Sequence, residues 1–471
     1  MYRSHLMKSS MGVVQQSYPP LDQRLEAGSS KGQPFFAMYL CILLLLTVYQ
    51  DFPLANMIGE IGRSPIILFM PLFVLCEVVQ LSKHKKFIVA TKLQKYLLVF
   101  ILYLSFISVL YVFFKFIGGS YQFGSENILV KSFKVLIYFI LIFLYIRHLH
   151  LVFSKINSYK VLYGCFFAIV TLLLSIMIIE LISIPNALPF MHAGSNPYWR
   201  VRLLTSESST AGSIVVVYAA ILAYLTQYLG KFAKTASFIY IIGFFIYYLV
   251  VTSSKGFLIV CMLTLLFTLI KFMDFRKKRN FFLLILMAAL MYLFVSHFSQ
   301  GVVNSFQNDM ANYSSSYTRF GTILIAFITV FHHPLGVGTG AYLFYFQEYI
   351  HSAINGLSNF YYNMFGISQI NTGELLQYVS SDKNLGVKSG LFQWMMFGGI
   401  FALVFFYYVA KNMVKTTKSN AILSLAVIFI LLSLLFIALE IKYEVWLLFA
   451  FISYFLSTSE RNQSSLTKVT K

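Results

Sequence analysis

The 471-residue sequence contains few charged side chains, and acidic ones are especially scarce. Asp, Glu, Lys and Arg together make up 11% of the chain, whereas a soluble domain contains roughly 25%. Hydrophobic residues make up 59% of the chain, and its mean hydropathy is +0.76. This composition excludes an ordinary soluble protein. It predicts an all-α polytopic membrane protein.

Cysteine is also scarce, and its positions exclude two kinds of site. Cys41, Cys76, Cys165 and Cys261 all fall inside apolar segments. We therefore interpret them as small core residues and not as a disulfide framework or a metal site. The 16 acidic residues form no Asp-rich metal motif. The sequence predicts neither a metal ion nor an organic cofactor.

Long apolar runs divide the rest of the chain. The first begins only at Phe35, so no secretory signal peptide is visible, and residues 1–34 are interpreted as a cytoplasmic tail. Nine transmembrane helices are predicted within residues 35–298 and three within 389–458, about 12 in total. Residues 299–388 then form a large polar loop, and residues 459–471 a second cytoplasmic tail. The predicted spans are 35–50, 65–81, 96–117, 132–147, 161–184, 211–229, 236–252, 256–272, 281–298, 389–410, 420–439 and 443–458.

Basic residues outnumber acidic residues by 36 to 16, which gives a net charge of +20. With both termini inside, 25 of the 36 Lys and Arg residues fall in cytoplasmic segments, as the positive-inside rule requires. The charge therefore indicates contact with the anionic inner leaflet, and no nucleic-acid partner is predicted. Because successive loops alternate between the two sides of the membrane, the same assignment places the loop 299–388 on the periplasmic side.

Eleven Lys and Arg residues remain on the outer side, against this rule. Arg200 and Arg202 end one polar loop, Lys255 lies in a short turn, and Arg319 begins a short apolar segment. We expect these four cations to converge on one cavity at the outer face. The eleven are Arg63, Lys115, Lys131, Lys134, Arg200, Arg202, Lys255, Arg319, Lys383, Lys388 and Lys442.

The segment that begins at Arg319 is too short to cross a bilayer. As a helix, 319–331 would be about 18 Å long, whereas the hydrocarbon core is about 30 Å thick. The segment is therefore predicted to be a re-entrant or interfacial helix that ends before Pro334. Gly336, Gly338 and Gly340 follow, and they permit close approach of the backbone to a ligand or to a neighbouring helix.

Tyrosine is abundant in the large loop. Its ring combines an apolar face with a hydroxyl group, which suits stacking on sugars or a position at the membrane interface. Residues 341–354 are predicted to form a second amphipathic helix. The tyrosines are Tyr313, Tyr317, Tyr342, Tyr345, Tyr349, Tyr361, Tyr362 and Tyr378.

Four of these motifs together resemble those of the O-antigen polymerase and O-antigen ligase superfamily of bacterial envelope glycosyltransferases. Arg202–Ser209 is similar to the family's arginine that precedes a Glu-Pro-Ser-like turn, with Ser208 at the proline position. Ser254–Gly256 is similar to its Ser-Arg or Ser-Lys turn. Arg319 followed by His333–Gly340 resembles the signature of its large periplasmic loop, and Ser389–Gly399 resembles the re-entry into the membrane.

The resemblance covers roughly residues 200–410 in motifs and the whole chain in topology. It implies a polymerase of the bacterial inner membrane that transfers the growing glycan from undecaprenyl diphosphate to the non-reducing end of a lipid-linked repeat unit at the periplasmic face. The implied partners are this lipid-linked oligosaccharide, membrane lipids and a chain-length-regulating co-polymerase. Family ligases carry a histidine where this chain has Lys388-Ser389, which favours a polymerase and leaves the general base unassigned. An O-antigen ligase and a polysaccharide transporter or flippase are the alternatives.

Negative charge develops on the departing diphosphate, and guanidinium groups stabilise such charge with bidentate hydrogen bonds. The resemblance implies catalytic roles for Arg202, Arg319, Lys255 and Glu207. The competing interpretations are that the cations anchor helix ends at lipid headgroups and that Glu207 offsets a helix dipole. The residues expected to bind substrate are Arg200, His333, Gly336, Gly338, Tyr342 and Tyr345.

Overall fold

A computed structural model describes most of the chain between residues 33 and 469. The described residues are 33–85, 87, 89–156, 158–186, 188–194, 197–252, 254–273, 285, 289, 315–367, 370–379, 381 and 385–469. Most of the predicted span 281–298 and most of the predicted N-terminal tail lie outside them. Only the backbone is described at Glu60, Ile61, Ser209, Lys255, Ser315, Ser316, Phe365 and residues 457–469.

The described chain is built from α-helices, with one small antiparallel hairpin of β1 (Gln122–Phe123) and β2 (Glu126–Asn127). Short 3₁₀ turns at Gly59–Arg63, Pro65–Phe69 and Thr226–Tyr228 join some of the helices. The helices are α1 (Gln33–Val48), α2 (Ala55–Ile58), α3 (Met70–His84), α4 (Lys92–Ile117), α5 (Ile128–Lys155), α6 (Tyr159–Ser183), α7 (Ser208–Leu225), α8 (Lys231–Thr252), α9 (Lys255–Phe272), α10 (Ser315–His332), α11 (Tyr342–Phe365), α12 (Gly373–Gln377), α13 (Gly390–Thr416), α14 (Ala421–Ser433) and α15 (Tyr443–Val469).

Seven described helices are long and apolar enough to cross a membrane, which confirms an all-α membrane protein. The number of twelve spans is not confirmed. Four other predicted spans coincide with the shorter apolar helices α1, α9, α14 and α15, and one lies mostly outside the described residues. The seven are Pro65–His84, Lys92–Ile117, Ile128–Lys155, Tyr159–Ser183, Thr210–Tyr228, Lys231–Thr252 and Gly390–Thr416.

Helix α7 lies at the centre of the bundle. In its span 83% of the residues are buried, against 17% in Pro65–His84. The outward faces of the peripheral helices carry exposed apolar side chains such as Val78 and Phe232, which would be stable against lipid but not against water. The core therefore lies around α7, and it positions the polar turn that precedes this helix.

The predicted short helix after Arg319 is present, but it begins earlier than predicted. Helix α10 starts at Ser315 and ends at His332, just before Pro334. Helix α11 extends to Phe365, beyond the predicted end at residue 354, and packs against α10. Both helices fall within residues 299–388, whose periplasmic location stays a prediction.

Helix α13 is interrupted at Gly399, where φ is 57° and ψ is −141°. The loop after α10 packs into this interruption. The amide of Val337 donates to the carbonyl of Met396 at 3.1 Å, and the amide of Gly338 donates to that of Phe397 at 2.9 Å. Backbone groups freed by the break are thus satisfied inside the protein, which is a requirement at membrane depth.

Candidate functional site

Arg202 lies in the loop between α6 and α7. The residue is 8% exposed, and its guanidinium stacks over the ring of Tyr198 at 4.8 Å from the ring centroid. Within the part of the chain that the structure describes, no carboxylate oxygen lies within 4 Å of this guanidinium. Because this guanidinium has no direct ion-pair partner among the described residues, an anionic ligand can form charge-assisted hydrogen bonds with it.

A tight turn connects Arg202 to the start of α7. The Thr205 amide donates to the Arg202 carbonyl at 3.1 Å, and the Thr205 hydroxyl lies 2.7 Å from the same oxygen and 2.8 Å from the Glu207 carbonyl oxygen. The Ser208 amide, at the helix start, donates to the Tyr198 hydroxyl at 3.0 Å. Tyr198 therefore holds both the guanidinium of Arg202 and the first turn of α7.

Arg319 reaches the same turn from α10. Its Nη2 atom lies 3.7 Å from Oε2 of Glu207, with side-chain exposures of 31% and 54%. Its Nη1 atom donates to the carbonyl of Phe436 at 2.9 Å. An ion pair this exposed contributes only about 0–1 kcal/mol. Arg319 can therefore exchange Glu207 for a phosphate oxygen at little cost in free energy.

Lys442 is a further cation beside this turn. It is 3% exposed, its ammonium donates to Oε1 of Gln50, and it lies 3.4 Å from the Thr210 carbonyl oxygen in the first turn of α7. Burial lowers the pKa of Lys442, and the charges of Glu444 and Glu207 partly oppose this effect. In the sequence, Lys442 was one of the eleven predicted outer cations, and no motif distinguished it from the others.

The structure leaves the roles of two predicted residues open. Lys255 is the first residue of α9, where the Ser254 hydroxyl accepts a hydrogen bond from the Phe257 amide at 3.4 Å. Only its backbone is described, so its catalytic role stays a prediction. Arg200 is exposed, two positions before the buried Arg202, and its role in substrate binding also stays a prediction.

His333 and Tyr345 lie near the opposite end of α10 from Arg319. The Tyr111 hydroxyl is 3.2 Å from Nδ1 of His333, and the rings of His333 and Tyr345 are 4.4 Å apart. The ammonium of Lys115 lies 4.9 Å from the centroid of Tyr345. Fourteen helical positions correspond to about 21 Å along the axis. The predicted site residues therefore form two groups, one at each end of α10, and not a single cluster.

Gly336, Gly338 and Tyr342 are buried between helices. An added Cβ on Gly336 would lie 2.5 Å from the Gly399 amide nitrogen, and one on Gly338 would lie 2.7 Å from the Cα of Ser108. The Tyr342 hydroxyl donates to the Leu385 carbonyl at 3.1 Å. The structure gives these three residues a packing role, and their contact with substrate stays a prediction.

Comparison with known proteins yields one distant relative. No protein-family model and no solved structure matches the chain. An uncharacterised 49.5 kDa protein in the cps region of Klebsiella pneumoniae is 26% identical over 219 residues. The match covers 46% of this chain and 46% of the relative, so the chain spans about half the length of the protein that it matches.

Proposed function

We propose that the protein is a surface-polysaccharide polymerase that extends a glycan carried on undecaprenyl diphosphate. The observation that carries this proposal is the side chain of Arg202. The residue is 8% exposed, its guanidinium has no ion-pair partner among the described residues, and it shares a turn with Glu207, which pairs with Arg319. The similarity to a protein of a cps region, a capsule gene region, supports a role in polysaccharide synthesis.

In this reaction, Arg202 and Arg319 bind the diphosphate of the donor. The bond between the sugar C1 and the diphosphate oxygen breaks, and its electron pair remains on the diphosphate, where guanidinium groups stabilise the new charge. The acceptor hydroxyl oxygen forms the new bond to C1 and releases its proton. Glu207 is the carboxylate adjacent to Arg319, and we assign it as the base that takes this proton.

The group at the other end of α10 suits contact with the glycan. Tyr345, Tyr349 and His332 present partly exposed rings, and Tyr349 stacks on His332 at 5.2 Å. Aromatic faces with nearby hydroxyl groups suit the apolar faces and hydroxyls of sugar rings. A contact region about 21 Å from Arg319 suits a substrate of several sugars better than a small molecule.

The interrupted α13 is the observation that favours a transporter, because transporters use broken helices to hold substrates and ions. In such proteins the freed carbonyl groups face the ligand. Here the carbonyls of Met396 and Phe397 accept hydrogen bonds from Val337 and Gly338. The break therefore anchors a loop, and polymerase remains the better-supported function.

A reconstituted assay separates these functions. Purified protein in liposomes with lipid-linked repeat units alone should extend the glycan, which a ligase without its core acceptor or a transporter would not do. Arg202→Ala and Arg319→Ala should each lower the rate by about 10²–10³, because each removes a donor to the developing charge. Lys418→Ala, an exposed residue in the loop between α13 and α14, is the matched control. Near-normal chain length in both arginine variants would contradict the proposal.

A further inference from the structure

Three titratable side chains are buried together against the Arg202 turn. Asp51 follows α1, Glu180 lies in the last turns of α6, and His192 belongs to the loop between α6 and α7. They are 3%, 6% and 2% exposed. Nδ1 of His192 is 3.1 Å from Oδ2 of Asp51, and Nε2 is 2.9 Å from Oε1 of Glu180. Each ring nitrogen therefore faces a carboxylate oxygen.

Two carboxylates that face one imidazole favour its protonated form. Ionised carboxylates only accept hydrogen bonds, so both ring nitrogens of His192 must donate. Burial lowers the pKa of His192, but the hydrogen bonds to Asp51 and Glu180 outweigh burial and the nearby charge of Arg202, so the net effect raises the pKa. On the far side of this cluster, a guanidinium nitrogen of Arg63 lies 3.7 Å from Oδ1 of Asp51.

Glu180 fixes the backbone at Arg202 directly. Its Oε2 atom accepts hydrogen bonds from the amide of Arg202 at 3.0 Å and from that of Leu203 at 2.8 Å. Leu203 has a φ of 51°, in the left-handed region that a leucine rarely adopts. Two charge-assisted hydrogen bonds to one carboxylate oxygen stabilise this strained backbone.

The segment after α1 holds the same loop from the other side. The backbone amide of Gln50 donates to the backbone carbonyl of Leu204 at 2.8 Å, and the backbone amide of Ala193 donates to the backbone carbonyl of Asp51 at 3.0 Å. Asp51 is thus fixed to the loop by its backbone and to His192 by its side chain. The loop conformation at Arg202 therefore depends on both carboxylates and on the imidazole between them.

We propose that Glu180, oriented by His192 and Asp51, is a positioning residue that holds the Arg202 guanidinium in place for the diphosphate. This inference rests on the proposed polymerase function, since it assigns a purpose to the geometry of Arg202. Glu180 does not touch the substrate. It acts through the two amides that it binds.

Amide hydrogen exchange tests the positioning role without depending on activity. In Glu180→Gln, the neutral side chain accepts weaker hydrogen bonds, so exchange at Arg202 and Leu203 should become about 10- to 100-fold faster. The kcat of polymerisation should fall by a similar factor. Glu126→Gln is the control, because Glu126 pairs with Lys131 at 2.8 Å on another segment, and it should leave both measurements unchanged.

The pH profile provides a second test. The contribution of protonated His192 to the stability of the loop conformation is fully present below the ordinary pKa of histidine. It is lost as the pH rises through the raised pKa of His192. Protection of the Arg202 amide and polymerisation should therefore both decline on the alkaline side. His192→Gln, whose amide does not titrate, should lack this alkaline decline. It also serves as the second variant if Glu180→Gln fails to fold.

Two results would overturn the positioning role. One is unchanged exchange at Arg202 and Leu203 in Glu180→Gln, and the other is faster exchange with a normal polymerisation rate. Failure of the proposed function is distinguishable, because the wild-type protein would then not extend lipid-linked repeat units, or Arg202→Ala would extend them at the wild-type rate, whatever the exchange experiment shows. Faster exchange, a lower kcat and an alkaline decline absent from His192→Gln would support the positioning role.

Discussion

Two arginines of the candidate site have different surroundings, and their expected roles differ accordingly. Arg202 is buried over Tyr198, so much of its desolvation occurs on folding and not on ligand binding. Its side chain is therefore preorganised. Arg319 is partly exposed, and in the proposed reaction it exchanges a weak partner, Glu207, for the ligand. The geometry of Arg202 is therefore the more sensitive to changes in the surrounding protein.

Substitution of Glu207 tests its role as the base. Glu207→Gln keeps the shape of the side chain but cannot take a proton, so the polymerisation rate should fall by about 10²–10⁴. Stability should change by less than about 1 kcal/mol, because the pair with Arg319 is exposed and long. Single-turnover assays and thermal unfolding in detergent would measure the two effects, with Glu126→Gln as control. A stable Glu207→Gln variant with the wild-type rate would exclude Glu207 as the base.

At the scale of elements, α10, its following loop and α13 form one packed unit. The loop supplies amides to the interrupted α13, and the amide of Ile400 donates back to the Pro334 carbonyl at 2.9 Å. These reciprocal backbone hydrogen bonds fix the end of α10 against α13. Since Arg319 lies on α10, this packing also contributes to its position.

Glycine substitutions test whether close packing holds this unit together. Gly336→Ala places a Cβ against the backbone of α13 at a residue with a φ of 82°. Overpacking costs about 1–3 kcal/mol, and the left-handed backbone adds about 1–2 kcal/mol. Gly366→Ala is the control, because Gly366 has a φ of 68° but open space around it. Gly336→Ala should therefore lower the midpoint of thermal unfolding in detergent further than Gly366→Ala does. Equal shifts would show that the docking of the loop contributes little.

At the scale of the whole molecule, the distribution of charge predicts the orientation in the membrane. The loop between α4 and α5 should lie outside and the loop between α13 and α14 inside, because Lys and Arg concentrate on the inner side. The proposed reaction requires this orientation, since Arg202, Glu207 and Arg319 must face the compartment that holds the lipid-linked repeat units.

Cysteine labelling in intact cells tests the orientation. Ser120 and Ser419 are exposed residues of the two loops. Ser120→Cys should react with a membrane-impermeant maleimide in intact cells, and Ser419→Cys only after permeabilisation. The wild-type protein is the control, because its four cysteines lie on helices and are not exposed. Labelling of Ser419→Cys alone in intact cells would reverse the orientation and rule out a periplasmic site.

The sequence also predicted much of the local structure. Hydropathy and turn residues, which act over neighbouring positions, predicted most of the spans. They also predicted a short helix before Pro334 and a second helix after residue 341. The start of α10 at Ser315 was missed, because the polar residues before Arg319 gave no apolar signal. The division of the site into two groups was also missed, because it depends on the direction and length of α10.

By itself the sequence determined the class of protein, since low charge, long apolar runs and uneven loop charges act through the solvent and need no knowledge of contacts. Only the tertiary structure decided that Glu180, His192 and Asp51 surround one another, that Lys442 lies beside the first turn of α7 and that Arg319 faces Glu207. These contacts join residues that are mostly distant in the chain. Their pairing depends on how the helices pack, and no local pattern records it.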